Sequence, residues 1–236
     1  MCGRYSLITE MDALKKRFGF ANGDMPRQSR FNIAPTHEVI TVTNSLTSDG
    51  SLNHALPMKW GLIPSWAKDS SIGNRMINAR AETIDTRPMF RLALESRRCL
   101  VLADGFYEWM KVGKSSIPMR AVLKSAESFA FAGLWEIWNS PEGNLVTSGT
   151  IITTKPNAVM EPVHNRMPVI LPRETEGLWL DMGQSELSTL KELLVPYPAD
   201  DMEVYEVSKL VNSPGNDTYD VISRVASSHL GLLMQE

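Results

Sequence analysis

Cys99-Leu100-Val101-Leu102-Ala103-Asp104-Gly105-Phe106-Tyr107-Glu108-Trp109-Met110 is the stretch that decides the fold. Two apolar runs rich in β-forming residues are split by Asp-Gly, which predicts short strands over 99–103 and 106–110. In the second strand, alternation puts Phe106, Glu108 and Met110 on one face and Tyr107 and Trp109 on the other. A carboxylate between two large apolar neighbours is expensive to bury. Glu108 therefore lies at the mouth of a pocket or is paired.

Working outward, further strands are predicted over 39–43, 56–60, 117–123, 129–136, 146–153 and 202–207. Thr9 and Asp12 make a capping-box-like start to a helix ending near residue 18. Other helices are predicted over 87–97, with Met89, Leu92 and Ala93 on its buried side, and over 175–180 and 185–194. Residues 19–30, 44–51 and 141–144 read as loop or turn, and 61–66 as a loop with exposed aromatics. Strand-rich blocks interrupted by helices, without regular βα alternation, point to an α+β fold. No repeat, low-complexity tract or linker interrupts the chain, so a single domain over 1–236 is expected.

The 236 residues are 43% hydrophobic, enough for a sizeable core. Two cysteines argue against a disulfide scaffold and for a reducing compartment. With neither a signal-peptide pattern nor a membrane-length apolar run, a cytoplasmic protein is expected, with no membrane partner. A net charge of −3 gives no hint of nucleic acid. The halves differ, however: residues 1–120 carry 17 Lys/Arg against 11 Asp/Glu, and residues 121–236 carry 7 against 16. Arginine supplies 11 of the 17 basic residues, a composition suited to phosphate or carboxylate recognition, although most such arginines are ordinarily a solvated face. Neither a Walker loop nor Gly-x-Gly-x-x-Gly occurs, and the four histidines and two cysteines lack ligand spacing. No metal, nucleotide or other cofactor is expected.

Cys2 follows Met1 directly, so loss of Met1 would leave a cysteine with a free α-amine and thiol. This 1,2-aminothiol condenses with aldehydes: the amine forms an imine and the sulfur closes on its carbon to give a thiazolidine. Both groups titrate close enough to neutrality for that, at about 7.7–8.0 and about 8.5. The competing reading makes Cys2 a small apolar residue in a buried strand.

Three other segments set polar residues in apolar or proline-bounded surroundings: Asn78-Ala79-Arg80-Ala81-Glu82, Gly105-Phe106-Tyr107-Glu108-Trp109 and His164-Asn165-Arg166-Met167-Pro168. Singly, each has an ordinary explanation as a turn cap, an ion pair or a hydrogen-bonded structural residue. Together with Met1-Cys2-Gly3-Arg4-Tyr5, Arg30-Phe31-Asn32-Ile33-Ala34-Pro35 and Trp60-Gly61-Leu62-Ile63-Pro64, they resemble the SOS response-associated peptidase (SRAP) family, the abasic-site-processing proteins. The resemblance spans nearly the whole chain.

It implies a single SRAP-like domain with a mixed, largely antiparallel, barrel-like β core flanked by helices. It also implies a covalent crosslink between Cys2 and abasic sites in single-stranded DNA, shielding the lesion in the DNA damage response, with self-processing of the N-terminus. By that likeness Glu108 moves protons, His164 is the partner acid and Asn78 holds the sugar or Cys2. Arg4, Arg80 and Arg166 meet phosphates, and Trp66, with Pro35 or Trp60, stacks on bases. A monomer is expected. Two rival readings remain: a cysteine hydrolase that uses the same Cys2, His164 and Glu108, and a non-covalent binder of modified or single-stranded DNA with no chemistry.

Overall fold

The computed structural model describes residues 2–20, 29–44, 53–184 and 186–225. In chain order the elements are β1 (Tyr5–Leu7), α1 (Met11–Phe18), β2 (Arg30–Ile33), β3 (Glu38–Asn44), β4 (Asn53–Trp60), β5 (Asn78–Arg80), α2 (Pro88–Ser96), β6 (Arg98–Ala103), β7 (Gly105–Val112), β8 (Ser115–Leu123) and β9 (Phe129–Asn139). They continue with β10 (Leu145–Thr154), β11 (Met167–Pro168), β12 (Ile170–Leu171), α3 (Arg173–Leu180), α4 (Leu187–Glu192) and β13 (Met202–Glu206).

Five strands close into a mixed barrel. β4, β3, β6, β9 and β10 pair antiparallel in that order, and β10 returns to β4 as a parallel neighbour. Closure gives every barrel strand a neighbour on each side, although β4 covers β10 only at Ser148 and Gly149. β5 adds to β10 in parallel, and β11 and β12 extend β10 and β9. The second sheet is open and antiparallel, in the order β13-β8-β7-β1-β2. One large core draws on both sheets and on α1–α4, so the chain folds as a single α+β domain. A smaller cluster of Tyr107, Tyr205, Val207, Val211, Val221 and Ile222 lies apart from it.

The Asp-Gly break joins the two sheets. Asp104 accepts hydrogen bonds from Ser6 Oγ at 2.8 Å, from the Thr9 amide at 3.1 Å and from the Ile8 amide, which fastens the end of β1. The buried Arg120 guanidinium passes so close to Gly105 that a Cβ there would lie 2.7 Å from it. Only glycine fits.

Several local expectations are corrected. Thr9 does not cap α1: the cap position is Glu10, with no side-chain cap bond, and Thr9 is drawn to Asp104 instead. Leu92 is 63% exposed; α2 buries Phe90, Ala93 and Leu94. That stripe fits the 3.6-residue period equally well, and packing selects between the two. In the 61–66 loop Leu62 and Ile63 are fully buried, and only Ser65 and Trp66 are exposed. Residues 21–28 of the predicted 19–30 loop, residues 45–51 of the predicted turn and Ser185 at the start of the last predicted helix lie outside the described residues. The short strands β1, β2, β5, β11 and β12 were not anticipated as strands. Among the described residues no helix is long and apolar enough to cross a membrane.

Arg98 illustrates why basic composition alone misleads. It is fully buried and donates to the carbonyls of Leu94, Glu95, Trp179, Asp181 and Gln184, tying together the C-terminal ends of α2 and α3.

Candidate functional site

β7 sets the position of Glu108. Its alternation is as read from sequence: Phe106 and Met110 enter the large core, while Tyr107 belongs to the small cluster and Trp109 packs on it. Glu108 shares the face of Phe106 and Met110 and is 4% exposed. Burial penalises the ionised carboxylate and pushes its pKa up to about 7.

β1 delivers Cys2 to the same place. Tyr5 pairs with Phe106, and the Tyr107 amide donates to the Arg4 carbonyl at 2.9 Å. Continuing that antiparallel register sets Gly3 across from Glu108. The Cys2 thiol is fully buried, 4.0 Å from the Arg4 carbonyl, and burial together with the nearby Glu108 charge raises its pKa. Cys2 also counts among the core residues. What distinguishes it from an ordinary core cysteine such as Cys99 is its polar company.

That company comes from two further segments. β5 runs parallel to β10 with Asn78 opposite Ile151, and Asn78 Nδ2 donates to the Cys2 carbonyl at 2.8 Å. Among the described residues Asn78 Oδ1 is buried without a hydrogen-bond partner. Such an orphaned acceptor is unusual in a packed protein. His164 follows a turn closed by the His164 amide to the Met160 carbonyl at 2.9 Å. Its Nδ1 lies 3.9 Å from Glu108 Oε1, beyond hydrogen-bond reach. The same Nδ1 lies 3.1 Å from both the Arg166 amide, which can donate to it, and the Arg166 carbonyl, which can accept from it, so either neutral tautomer finds a backbone partner. Burial, the largest cause, holds the ring below its ordinary pKa.

The predicted DNA contacts divide. Arg80, at the end of β5, is exposed. Arg166 is turned into a bidentate pair with Glu82, at 2.6 and 3.0 Å, and also donates to Thr153. Arg4 gives Nη1 to Asn32 Oδ1 at 2.8 Å and to the Val211 carbonyl at 2.6 Å, and lies 5.8 Å from the Trp109 ring centroid. Its Nη2 has no hydrogen-bond partner among the described residues. Trp66 is 65% exposed, in a shallow depression with Lys68, Ser71, Ile72 and Arg75. Trp60 is a correction. It is 1% exposed, packs edge-on against Tyr5 at 5.3 Å and donates its indole N–H to the Ile77 carbonyl, so no base can stack on it. Pro35 is half-buried in a turn whose Thr36 amide donates to the Trp60 carbonyl at 2.8 Å.

Sequence reasoning missed Glu82, Lys68, Arg75 and Lys111, whose charge acts on His164. Glu82 was legible only as part of the Asn78–Glu82 segment. Among the described residues no three His, Cys, Asp or Glu side chains gather as a metal would require.

A closed barrel beside an open sheet, with Cys2, Asn78, Glu108 and His164 meeting between them, is the framework against which known proteins compare. A family model described as SOS response associated peptidase (SRAP) matches residues 1–214, and the chain belongs to that family. It is 50% identical over 226 residues to the abasic site processing protein YoqW of Bacillus subtilis strain 168, covering 94% of this chain and 99% of that one. It is 29% identical to the abasic site processing protein HMCES of Rattus norvegicus, covering 94% of this chain and 76% of that one. A crystal structure of a protein from Bacteroides thetaiotaomicron superposes with a TM-score of 0.84 at 27% identity, covering 95% of this chain and all of the other.

Proposed function

We propose that the protein processes abasic sites by capturing them covalently in single-stranded DNA, through a thiazolidine between Cys2, once Met1 is removed, and the C1′ aldehyde of the open deoxyribose. The observation that carries this reading is the meeting of Cys2, Asn78, Glu108 and His164, from four separate segments, in one buried polar site.

The chemistry balances on these groups. The neutral Cys2 amine adds to the aldehyde carbon and passes one of its protons to the carbonyl oxygen; protonated Glu108 then gives its proton to the departing hydroxyl, releasing water and leaving a protonated imine. The Glu108 carboxylate takes the thiol proton and sulfur bonds to the imine carbon, which leaves a neutral ring nitrogen with its remaining proton and Glu108 protonated as at the start. A pKa of about 7 lets one carboxyl serve as acid and then as base. His164 donates a ring proton to the sugar ring oxygen as the deoxyribose opens. Asn78 Oδ1 accepts a hydrogen bond from the incoming sugar or the freed amine. A cysteine hydrolase needs a thiol of lowered pKa, and burial here drives the Cys2 thiol the other way.

Arg80, Arg166 and Nη2 of Arg4 contact phosphates, and Trp66 stacks on a base, in a sequence-independent mode. Reaching a sugar inside a duplex would require unstacking at a few kcal/mol, which favours a single strand. Removal of Met1 by the protein itself is the hydrolysis that the family's peptidase description fits.

The test is denaturing electrophoresis of protein mixed with an abasic single-stranded oligonucleotide. A band that survives heat and detergent is expected, and its loss in Cys2→Ala and in protein retaining Met1. Glu108→Gln should slow its formation by about 100-fold or more. An unchanged rate in that variant removes Glu108 from the chemistry, and a persistent band in Cys2→Ala overturns the whole reading.

A further inference from the structure

Glu82 holds the guanidinium of Arg166 with both of its carboxylate oxygens. Arg166 Nη1 donates to Glu82 Oε1 at 2.6 Å and Nη2 to Glu82 Oε2 at 3.0 Å, a fork-to-fork geometry that phosphate shares with carboxylate. The partners are unequally held. Arg166 is 15% exposed and fixed from behind by the Thr153 carbonyl at 2.5 Å and Thr153 Oγ1 at 3.2 Å, whereas Glu82 is 51% exposed. Glu82 sits in the short turn Ala81–Thr83 directly after β5, two residues beyond the exposed Arg80. Hydrogen bonding from Arg166 keeps its carboxyl below the usual range, so the pair is ionised at neutral pH. Glu82 is thus the partner free to swing away, while Arg166 stays anchored on Thr153.

We propose that Glu82 is an exchangeable counter-ion, displaced from Arg166 by a strand phosphate. Every strand must break the pair to bind; an undamaged strand, which gains no covalent bond, is then held weakly and released. An abasic strand is retained by the thiazolidine. The inference rests on the DNA-capture reading above and adds to it a selectivity device at the entrance of the same site. Glu82 touches no reacting atom and acts through Arg166.

Glu82→Gln tests this, with a fluorescein-labelled undamaged oligothymidine followed by anisotropy across a salt series. The expected result is binding about three- to fivefold tighter, with the slope of log K against log salt unchanged, because the same phosphate meets Arg166 in both proteins. In an Arg166→Ala background the same substitution should change neither quantity. Unchanged or weaker binding of Glu82→Gln would make Glu82 an anchor that merely orients Arg166. An equal gain in both backgrounds would make it a general surface charge. Either result overturns the exchange. The capture reading is scored separately, by the heat-stable band of the unsubstituted protein on an abasic strand. Its absence sinks capture while the anisotropy still decides the exchange.

Discussion

The barrel and the seam beside it treat burial in opposite ways. On the barrel strands Val42, Met58, Leu100, Leu102, Ala132 and Ile151 are all but fully buried, and Phe129 and Phe131 join Tyr5, Trp60 and Phe106 in a continuous edge-to-face aromatic group. Burial there is almost purely favourable. Along the seam, where β7 and the N-terminal residues meet β5 and the His164 turn, the buried groups are a carboxyl, a thiol and an unsatisfied amide oxygen. Each is destabilised by its surroundings. The contrast separates the part of the molecule that holds it together from the part whose strained ionisation makes it reactive.

The largest test of this contrast is on the barrel side. Trp60→Ala should cost about 3–5 kcal/mol in urea unfolding, because it empties a fully packed site and orphans the Ile77 carbonyl. A loss below 1 kcal/mol would mean that Trp60 is not the packing element its burial implies.

Next comes the carboxyl. The Glu108 pKa rises from an ordinary 4.5 to about 7 in the folded protein. Between those values the folded state keeps a proton that the unfolded chain releases. Stability contributed by protonated Glu108 is therefore complete below about pH 4.5 and is lost as pH climbs through about 7. Glu108→Gln should flatten that decline and leave the variant more stable than the parent at pH 8, by at most about 3 kcal/mol. Parallel pH–stability curves for the two proteins would contradict it.

The smallest effect is expected at Trp66, six residues from Trp60 and its opposite in exposure. Trp66→Ala should move folding stability by no more than about 0.5 kcal/mol, yet weaken single-strand binding by about 1–3 kcal/mol through loss of one stacked base. Unaltered strand affinity would remove Trp66 from the interface.

Reading the sequence went well where a short pattern carries its own periodicity. Phe106 to Met110 gave both the strand and the odd placement of Glu108, and the hairpin turn around Gly143 sits between β9 and β10 as expected. It went less well where several placements satisfied the same pattern. Leu92 and Phe90 are equally apolar, and only the neighbours of α2 choose between them. Trp60 and Trp66 flank one loop with the same side chain, and only the closure of β4 against β10 buries the first. β5 has three residues and no periodicity to read; it is a strand because β10 offers it an edge.

From sequence alone came the α+β class, the adjacency of Cys2 to Met1, and the polar residues Asn78, Glu108 and His164 in apolar settings, since these follow from chain order and from local side-chain chemistry. Three-dimensional packing decided which of those residues meet, that Glu108 is dry enough to hold its proton near neutrality, and that Arg166 faces Glu82. Chain order fixes what each side chain is able to do; desolvation and long-range contact, which arise only when distant segments pack, fix its charge and its partner.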